Sequence, residues 1–506
     1  MASRLLGLVR DQVQAYLFGT GLAADAFNLA TRVPTLLRDL FAEGAMSAAF
    51  VPTFTRSLTS QGKEAAFRLG SQVVNGLLLI TGSIVVLGVI FAEPLATAFG
   101  DEFSKIPGKL ELTVELTRLN MPFLLLVAIA AACMGMLNAL RRFFIPATAP
   151  ATYNIVFIAC ALAFYPLFVR LGIHPVMALT VGMLAGGLAQ IVTQWPALRR
   201  EGYRHQWILD PRDSSLRDVL ILMGPGTLGG AAAQINVLVN TLLATSEDGA
   251  VSALTYAFRF MYMPVGIIAV SVATAAIPEL ARQAARQAHD EMRRTLSFGL
   301  RLMLMLSVPA TVGLMVLSAP IVSLIFERGE FNATSTAMTA SALFFYAIGI
   351  VGYSVVKIAM PSFYALQDAK TPVVVSLVSI AANLALNLWL HSVLGFRGLA
   401  LGTGLAATAN AGVLLFLLSR RIGGLDARRM LTSLVKILLA SAVMGAAAYG
   451  VEAWLHGRFP ASTLGPLLIR VAGGIGAGLG TLALTAWVLR IEEFTLALRR
   501  VLARVR

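Results

Sequence analysis

The chain has 506 residues, of which 57% are hydrophobic and only 13% charged, and its mean hydropathy is +0.77. That is more apolar surface than a soluble globular protein can bury, so the composition indicates a bilayer protein. The net charge of +14 does not indicate nucleic acid, because the basic residues lie in short patches between apolar segments without a zinc-finger, RRM or KH pattern. Cys133 and Cys160 lie deep in apolar runs and predict neither a disulfide framework nor a metal cluster.

Apolar segments of membrane-spanning length recur from one end of the chain to the other. A helix needs about 20 such residues to cross about 30 Å of hydrocarbon. We therefore expect an all-α polytopic membrane protein with about fourteen transmembrane helices, centred near residues 11, 40, 82, 127, 157, 186, 230, 266, 308, 349, 381, 407, 442 and 476. The connections on the side of the termini hold roughly 23 Lys and Arg residues, against roughly six in the alternate connections. By the positive-inside rule, this bias places both termini in the cytoplasm.

The first segment also has features of a secretory signal peptide. It is short and basic, and the small residues Ala23, Ala24 and Ala26 follow it. Arg10 and Asp11 interrupt the apolar stretch that a signal peptide requires. We therefore favour a first membrane span.

Ionisable residues within the spans are the candidates for a functional site. Each costs about 2.5–3.5 kcal/mol to insert, so such residues usually face a cavity, a partner or the interface. They are Arg4, Arg10 and Asp11 in the first span, Asp25, Arg32, Arg38, Asp39 and Glu43 in the second, and Arg259 and Lys357 further on. At 3.6 residues per turn, Arg4 shares a helical face with Asp11, and Asp25 shares one with Arg32. Such stripes can line a polar cavity. The alternative is that Arg4 and Arg56 extend to headgroups and that Asp39 and Glu43 are paired internally. Extension to headgroups is favoured most for Arg301, which lies near a span end.

The predominance of arginine indicates an anionic ligand. A planar guanidinium binds a phosphate bidentately and remains charged when it is partly desolvated. Several arginines from different spans would form a central anion site suited to a diphosphate headgroup.

Two halves of the chain carry matching short motifs. Pro52 and Arg56 recur as Pro278 and Arg282, an offset of 278 − 52 = 226 residues. The Ala-Leu pair at 139–140 with its following proline recurs at 365–366 with the same offset. We infer an internal duplication of a six-helix unit whose copies keep the same membrane orientation.

Other motifs carry no functional prediction. Gly224, Gly226 and Gly229 match a dinucleotide fingerprint, but they include Pro225 and lie within a membrane span, where glycines allow close helix packing. The chain has no Walker A, HExxH or nucleophile-elbow sequence. We therefore expect a transporter and no enzyme, with no cofactor.

Several runs of the sequence resemble the MurJ (MviN) family of lipid II flippases. They are SRLLGLVRD at 3–11, ADAF at 24–27, LLRDLFAEGA at 36–45, FVP at 50–52, YAFRFM at 256–261, VK at 356–357, FY at 363–364 and QDAKTP at 367–372. The resemblance spans nearly the whole chain. It implies the fold of the multidrug/oligosaccharidyl-lipid/polysaccharide (MOP) exporter superfamily, with two six-helix lobes in a V, at residues 1–200 and 201–424. It also implies two further helices beside a lipid groove and a basic tail, at 425–506.

The resemblance implies a function as well. The protein would translocate lipid II, the undecaprenyl-diphosphate-linked peptidoglycan precursor, across the bacterial cytoplasmic (inner) membrane by alternating access. The family's functional arginines fall on Arg4, Arg10, Arg38 and Arg259, which would hold the headgroup. Its functional carboxylate falls on Asp25, which we expect to help open or close the outward gate by pairing with one of the arginines. Membrane lipids and cell-wall synthesis proteins are expected partners.

Two departures from the family pattern stand out. Tyr262 occupies a position that is usually acidic or an amide, which removes any contact that such a side chain would make. Relatives also carry additional residues ahead of Arg4, so we expect the natural start to lie further upstream.

Some relatives bind sodium, and the approximately corresponding polar groups are Asn240, Asn383, Asn387 and Thr403. All four are neutral and would bind a cation weakly, so coupling to a monovalent cation or to membrane potential stays open.

Three rival functions make different demands on the sequence. A cation-coupled drug exporter or an O-antigen-type flippase would share the fold, but a site for cationic drugs needs more carboxylates than arginines. A polytopic cell-wall glycosyltransferase needs a catalytic acid outside the membrane, for which Glu327, Glu330, Glu247 and Asp248 are candidates without a recognisable constellation. A scaffold protein would tolerate neutralisation of the arginines.

Overall fold

Helices make up the regular structure throughout the part of the chain that the structure describes. The structure, a computed structural model, describes residues 2–40, 49–460 and 463–495, and within those ranges no β-strand is present. Helices suit a bilayer because each satisfies its own backbone hydrogen bonds where no water can. The chain divides into two compact units, unit 1 (Met1–Ser252 with Arg328–Phe331) and unit 2 (Ala253–Glu327 with Asn332–Arg506).

Unit 1 contains eleven of the described helices and the start of a twelfth. They are α1 (Ala2–Phe18), α2 (Leu22–Ala30), α3 (Arg32–Arg38), α4 (Val51–Ser60), α5 (Lys63–Ile90), α6 (Ala92–Gly100), α7 (Lys109–Asn120), α8 (Phe123–Ala139), α9 (Phe144–Leu171), α10 (Met177–Arg200), α11 (Ser214–Ala244) and the first turn of α12 (Ala250–Pro264). A 3₁₀ turn, Asp101–Lys105, joins α6 to α7. The core is centred on α8, where Cys133 and Met136 are fully buried.

Unit 2 contains the rest of α12 and nine further helices. They are α13 (Val270–Ala285), α14 (His289–Val316), α15 (Ser318–Phe326), α16 (Ala333–Ala347), α17 (Gly349–Ala365), α18 (Lys370–Leu394), α19 (Phe396–Arg421), α20 (Ala427–Arg458) and α21 (Leu464–Val488). A π-helical segment, Val265–Ala269, joins α12 to α13.

The helices match the predicted spans. Ten helical segments of the described chain are long and apolar enough to cross a membrane, and α16 with α17 forms an eleventh that bends by 44°. The three remaining predicted spans lie at α1, at the broken series α2 to α4 around residues 41–48, which are outside the described residues, and at α11. The prediction of an all-α polytopic membrane protein is therefore confirmed, and about fourteen spans is consistent with this architecture.

The internal duplication is visible in the helix boundaries. Helices α5 and α14 both have 28 residues, α6 and α15 both have nine, and α8 and α17 both have 17. In each pair the second helix begins 226 residues after the first, at 289 against 63, 318 against 92 and 349 against 123. The offset read from the sequence therefore describes whole helices. The division at 1–200, 201–424 and 425–506 stays a prediction.

The ends of α8 and α17 share the same capping geometry. Arg141 and Gln367 both have φ of 59°, in the left-handed region. The next N–H in each case donates to a carbonyl five residues back, at 2.8 Å after α8 and 2.9 Å after α17. This is a Schellman motif, and both copies form it without glycine.

Ion pairs join the connection after α10 to the start of α5 and to the segment that follows α8. Glu201 accepts from Arg142 Nε at 2.7 Å and from Lys63 Nζ at 3.2 Å. These two hydrogen bonds hold the pKa of Glu201 below its usual value of 4.5. This carboxylate lies among the basic residues that the positive-inside rule assigns to the cytoplasm.

The segment after α21 returns to α14 and α20 through a buried arginine. Arg301 has a side chain that is only 8% exposed, and its Nη1 lies 3.2 Å from Glu492 Oε2 while its Nε lies 3.2 Å from Glu493 Oε1. Ser433 of α20 donates to Glu493 at 3.2 Å. The expectation that Arg301 extends to the headgroups is therefore wrong, because two glutamates compensate its charge inside unit 2.

Candidate functional site

A buried carboxylate in unit 1 forms the most completely bonded polar cluster near the predicted site residues. Asp25 is fully buried, in the first turn of α2. Its Oδ1 accepts from Ser252 N at 2.9 Å and from Ser252 Oγ at 2.7 Å, and its Oδ2 accepts from Gly249 N at 2.8 Å. Those two backbone N–H groups flank the start of α12, where helix N–H groups have no partner within the helix. Asp25 thus caps the N-terminus of α12 from a separate helix.

Lys109 supplies the positive charge of this cluster. Its Nζ is fully buried and lies 3.0 Å from Asp25 Oδ2 and 2.6 Å from Asp248 Oδ1. The same ammonium lies 4.1 Å from the centroid of the Phe103 ring, a cation–π contact. Lys109 is the first residue of α7 and follows Gly108, whose φ of 77° is in the left-handed region that favours glycine. The turn before α7 therefore aims the lysine at α2.

Polar side chains of α1 and α2 extend the cluster. Asn28 Nδ2 donates to Ser252 Oγ at 3.0 Å, and Gln14 Nε2 donates to Asn28 Oδ1 at 3.0 Å. We call Asp25, Lys109, Asp248, Gly249 and Ser252 the Asp25 cluster. It ties the beginnings of α2, α7 and α12 together through hydrogen bonds to the fully buried Asp25 and Lys109 side chains, with the 61% exposed Asp248 side chain at its outer edge.

The partner predicted for Asp25 was wrong. We expected an arginine, whereas the structure pairs Asp25 with Lys109, Gly249 and Ser252. Lys109 is not predicted as a site residue because it lies between predicted spans, in a connection with few charged residues. The available signals were the Pro-Gly turn directly before it and the Asp-Gly pair directly before α12.

Arg10 lies on α1 within a half-buried polar and aromatic environment. Its Nη2 and Nε lie 2.8 and 3.2 Å from Asp11 Oδ1. Its guanidinium carbon lies 5.9 Å from the centroid of Tyr153 and 5.6 Å from that of Phe157, both on α9. The Arg10 side chain is 20% exposed. The two rings lie beside the guanidinium, and Tyr153 also forms a side-chain hydrogen bond with it.

Arg38, at the end of α3, has a similar arrangement. Its Nη2 and Nε lie 2.6 and 2.9 Å from Asp39 Oδ1, and Asp39 Oδ2 accepts from Gln234 Nε2 at 3.3 Å. The Arg38 side chain is 31% exposed. The Tyr153 hydroxyl lies within electrostatic range of both Arg38 and Arg10. The structure therefore brings these two predicted arginines to one region of unit 1, each held by the aspartate that follows it.

The other predicted residues of unit 1 are less enclosed. Arg4 is exposed on α1, and Arg32 is half-buried at the start of α3. Both interact with other groups of the protein. Glu43 lies outside the described residues.

Three predicted residues lie in unit 2. Arg259 on α12 and Lys357 on α17 are both exposed, although they lie well inside predicted spans. Tyr262 stacks on Phe258, with ring centroids 5.8 Å apart and planes inclined by 22°, and lies edge-on to Tyr353 at 6.2 Å. Tyr262 thus makes aromatic contacts at a position where the family pattern has an acidic or amide side chain.

The candidate cation ligands of unit 2 form hydrogen bonds within their own helices. Asn383 and Asn387, both buried on α18, share a hydrogen bond of 3.0 Å from Nδ2 of Asn387 to Oδ1 of Asn383. Thr403 Oγ1 donates to the Leu399 carbonyl within α19 at 2.8 Å. Asn240 lies on α11 in unit 1. A role for these four residues in cation binding stays a prediction.

Comparisons with known proteins identify the family. A family model described as Lipid II flippase MurJ matches residues 14–469. The chain is 36% identical over 481 residues to a probable lipid II flippase MurJ of Rhizobium meliloti, which covers 93% of this chain and 88% of the relative. The chain belongs to the MurJ family. Its members are transporters and not enzymes.

More distant relatives and solved structures agree with this assignment. A lipid II flippase MurJ of Burkholderia cenocepacia is 33% identical over 428 residues, covering 84% of this chain and 82% of the relative. A solved structure of lipid II flippase MurJ in an inward closed conformation matches 96% of this chain and 97% of its own, with a TM-score of 0.79 and 26% identity. An inward-facing MATE transporter of the MOP superfamily covers 84% of this chain and 96% of its own, with a TM-score of 0.68 at 17% identity. The MATE likeness shows that the fold is of the MOP type.

Proposed function

We propose that this MurJ-family protein is a lipid II flippase that carries the undecaprenyl-diphosphate-linked precursor from the cytoplasmic to the periplasmic leaflet of the inner membrane. The observation that carries the proposal is the pair Arg10 and Arg38, two half-buried guanidinium groups near one tyrosine hydroxyl. Charge this deep in a membrane protein usually serves a ligand. The diphosphate is the ligand that its chemistry fits.

Each guanidinium already has a carboxylate in the place that a phosphate oxygen would take. Asp11 binds Arg10 through two nitrogens of the fork, and Asp39 binds Arg38 in the same way. In both pairs a single carboxylate oxygen accepts from both nitrogens, whereas a diphosphate offers several oxygens to the two donors and carries more negative charge. The headgroup would therefore displace Asp11 and Asp39 from the two arginines. Each aspartate would pair with its arginine again when the headgroup leaves. This exchange keeps both charges compensated before and after binding.

The family resemblance assigns two further arginines to headgroup binding. Arg4 and Arg259 are exposed within or beside membrane helices and would meet the sugar and peptide portions. Arg32, Asp39, Lys357 and Tyr262 would line the path. The lipid tail would stay in the bilayer, because transferring each CH₂ of it to water costs about 0.8 kcal/mol.

The Asp25 cluster is suited to close one end of this path. It joins α2, α7 and α12 through four bonds to one buried carboxylate. The positive-inside rule assigns the connections that carry Lys109 and Asp248 to the periplasmic side. We infer that this cluster is an outward gate that separates when lipid II leaves and reforms afterwards. Alternating access requires such a closure at each end.

Topology, partners and energy source complete the proposal. We place both termini in the cytoplasm and expect membrane lipids and cell-wall synthesis proteins as neighbours. The energy source would be the membrane potential or a monovalent cation. An elementary charge that crosses the whole field gains about 2.3 kcal/mol per 100 mV, and opening the gate would move the Lys109 charge through part of that field.

The test is complementation of a bacterial strain depleted of its own lipid II flippase. The intact protein is compared with Arg38→Ala and Arg259→Ala at matched membrane levels, while periplasmic exposure of lipid II is assayed. Arg56→Ala is the matched control, because Arg56 makes a surface ion pair and its side chain is 65% exposed.

The outcomes separate the rival functions. Rescue by the intact protein and the control, lost in both site variants, would support the arginine headgroup site. Rescue by both site variants would eliminate that site and favour a scaffold. Failure of the intact protein, when supplied with a family-length N-terminus, would point to a different lipid-linked substrate.

A further inference from the structure

Unit 2 contains a cavity whose lining includes none of the residues of the proposed headgroup site. Its volume is about 470 Å³, within the range of roughly 300–1,000 Å³ for small-molecule sites. It lies where α20 ends and α21 begins, against α15 and the start of α16. Ala319, Pro320 and Leu467 form its apolar wall. The family match and the candidate arginines do not account for it.

The polar side of the cavity carries an excess of negative charge. Glu327 and Glu452 both line it, and the one arginine in the lining is Arg470. Arg470 is bound to Glu452, with Nε 3.0 Å from Oε1, and both side chains are mostly buried. Glu327 accepts from Thr336 Oγ1 at 2.9 Å and has no ion pair among the described residues. Two carboxylates and one guanidinium leave the lining with one negative charge that no arginine or lysine of the lining compensates.

The acceptors in the cavity favour a primary ammonium. Such a group has three N–H donors, and the carboxylates of Glu327 and Glu452 with the Ser323 hydroxyl offer acceptors for them. A quaternary ammonium has no N–H and is normally bound by several aromatic rings, whereas Tyr449 is the single aromatic residue in the lining. The site therefore discriminates in favour of an ethanolamine-type cation over a choline-type cation.

The position of the cavity indicates that a primary ammonium bound there would belong to a lipid headgroup. Trp454 is 56% exposed, and the Arg458 guanidinium lies 4.3 Å from the centroid of its ring, a combination typical of the membrane interface. Beside the cavity, Tyr449, Leu464 and Leu468 expose large apolar surfaces along which an acyl chain could lie. Arg470 and His456 provide donors for a phosphate next to the ammonium site.

We propose that this cavity binds the headgroup of a membrane phospholipid with a primary amine, of the phosphatidylethanolamine class. The ammonium lies between Glu327 and Glu452, the phosphate faces Arg470 and His456, and the acyl chains run along the outer faces of α20 and α21. Binding requires no transport, so it is independent of the function proposed above.

The test measures lipid retention on the full-length protein by native mass spectrometry. The protein is incubated with equal amounts of phosphatidylethanolamine, phosphatidylglycerol and phosphatidylcholine. Phosphatidylethanolamine should be retained preferentially, and Glu327→Gln should weaken its retention by roughly tenfold or more, as expected for loss of a charge-assisted hydrogen bond. Glu111→Gln, which neutralises an exposed glutamate at the start of α7, is the matched control and should retain the lipid like the unmodified protein.

A second variant and a competitor keep the outcome decisive. Ala453→Leu narrows the cavity without changing its charge and should also reduce retention, with the thermal midpoint showing that each variant is folded. Equal retention in Glu327→Gln and Glu111→Gln, or retention of phosphatidylcholine as strong as that of phosphatidylethanolamine, would overturn the site. Displacement of the lipid by an equal concentration of soluble glycerophosphoethanolamine would overturn the lipid assignment and indicate a soluble amine.

Discussion

Removal of the buried ammonium at the Asp25 cluster is the most informative perturbation of unit 1. In Lys109→Met, Asp25 loses the cation 3.0 Å from its Oδ2, and Asp248 loses the same cation at 2.6 Å. Breaking one side of a buried ion pair costs about 3–5 kcal/mol. Asp25 keeps three neutral donors from Gly249 and Ser252, so we expect a loss near the lower end, about 3 kcal/mol.

The measurement is a double-mutant cycle on the purified protein, with free energies of unfolding from denaturant titration. Lys109→Met and Asp25→Asn should each lower the free energy of unfolding. The loss in the double variant should be smaller than the sum of the two single losses by about 0.5–3 kcal/mol. Lys105→Met is the control, because that side chain is 70% exposed in a surface pair and should change stability by about 0.5 kcal/mol or less. Additive losses in the double variant would refute the pairing as the basis of the cluster.

Three further predictions concern other parts of the molecule. A Cβ at Gly402 would clash with the buried Asn387 Oδ1, so Gly402→Ala should lower the thermal midpoint by several degrees. A Cβ at Gly412, on the same helix, would meet nothing within 4 Å, so Gly412→Ala should not lower the midpoint. The pKa of Glu201 is lowered in the folded protein by two basic donors, so its contribution to stability is fully present above its usual pKa of 4.5 and is lost as the pH falls through the lowered pKa of the folded protein. Glu201→Gln should therefore reduce the thermal midpoint at pH 7 and have a progressively smaller effect as the pH falls through that lowered pKa, and an equal reduction at every pH would contradict this ion-pair role. Arg38→Lys keeps the charge but loses the bidentate fork, so it should weaken binding of undecaprenyl diphosphate by roughly tenfold or more in a native mass spectrometry titration, and unchanged affinity would argue against a bidentate contact.

The sequence predicts the membrane architecture because bilayer spans are local features. Each span is a run of adjacent residues, and the loops beside it carry their charge in the same neighbourhood. The arginines at 10 and 38 could be predicted for the same reason, since a charge inside an apolar run is visible without knowledge of the fold. The helix pairs separated by 226 residues confirm that even the duplication could be read in this way.

Long-range partners could not be predicted. Asp25 meets Lys109 across 84 residues and Ser252 across 227, and several arginines were equally plausible partners. Arg301 meets Glu492 across 191 residues, although its position near a span end favoured an exposed side chain. In both cases a residue from a connection or from the C-terminal segment, Lys109 or Glu492, lies against a buried charge far away in the chain. Hydropathy depends on neighbouring residues only and therefore does not predict such a contact.

The matched helices of the two units give this protein an internal control. A duplicated backbone keeps its lengths and its caps, as at Arg141 and Gln367, while its side chains diverge. The residue 226 positions after Lys109 is Ser335, a neutral residue whose N–H donates to Asn332 at the start of α16. The matching position thus holds a buried charge in one copy and, in the other, a serine in the first turn of α16 whose N–H is capped by Asn332. Exchanging the two residues would compare a charged and an uncharged side chain at matching positions within a single chain.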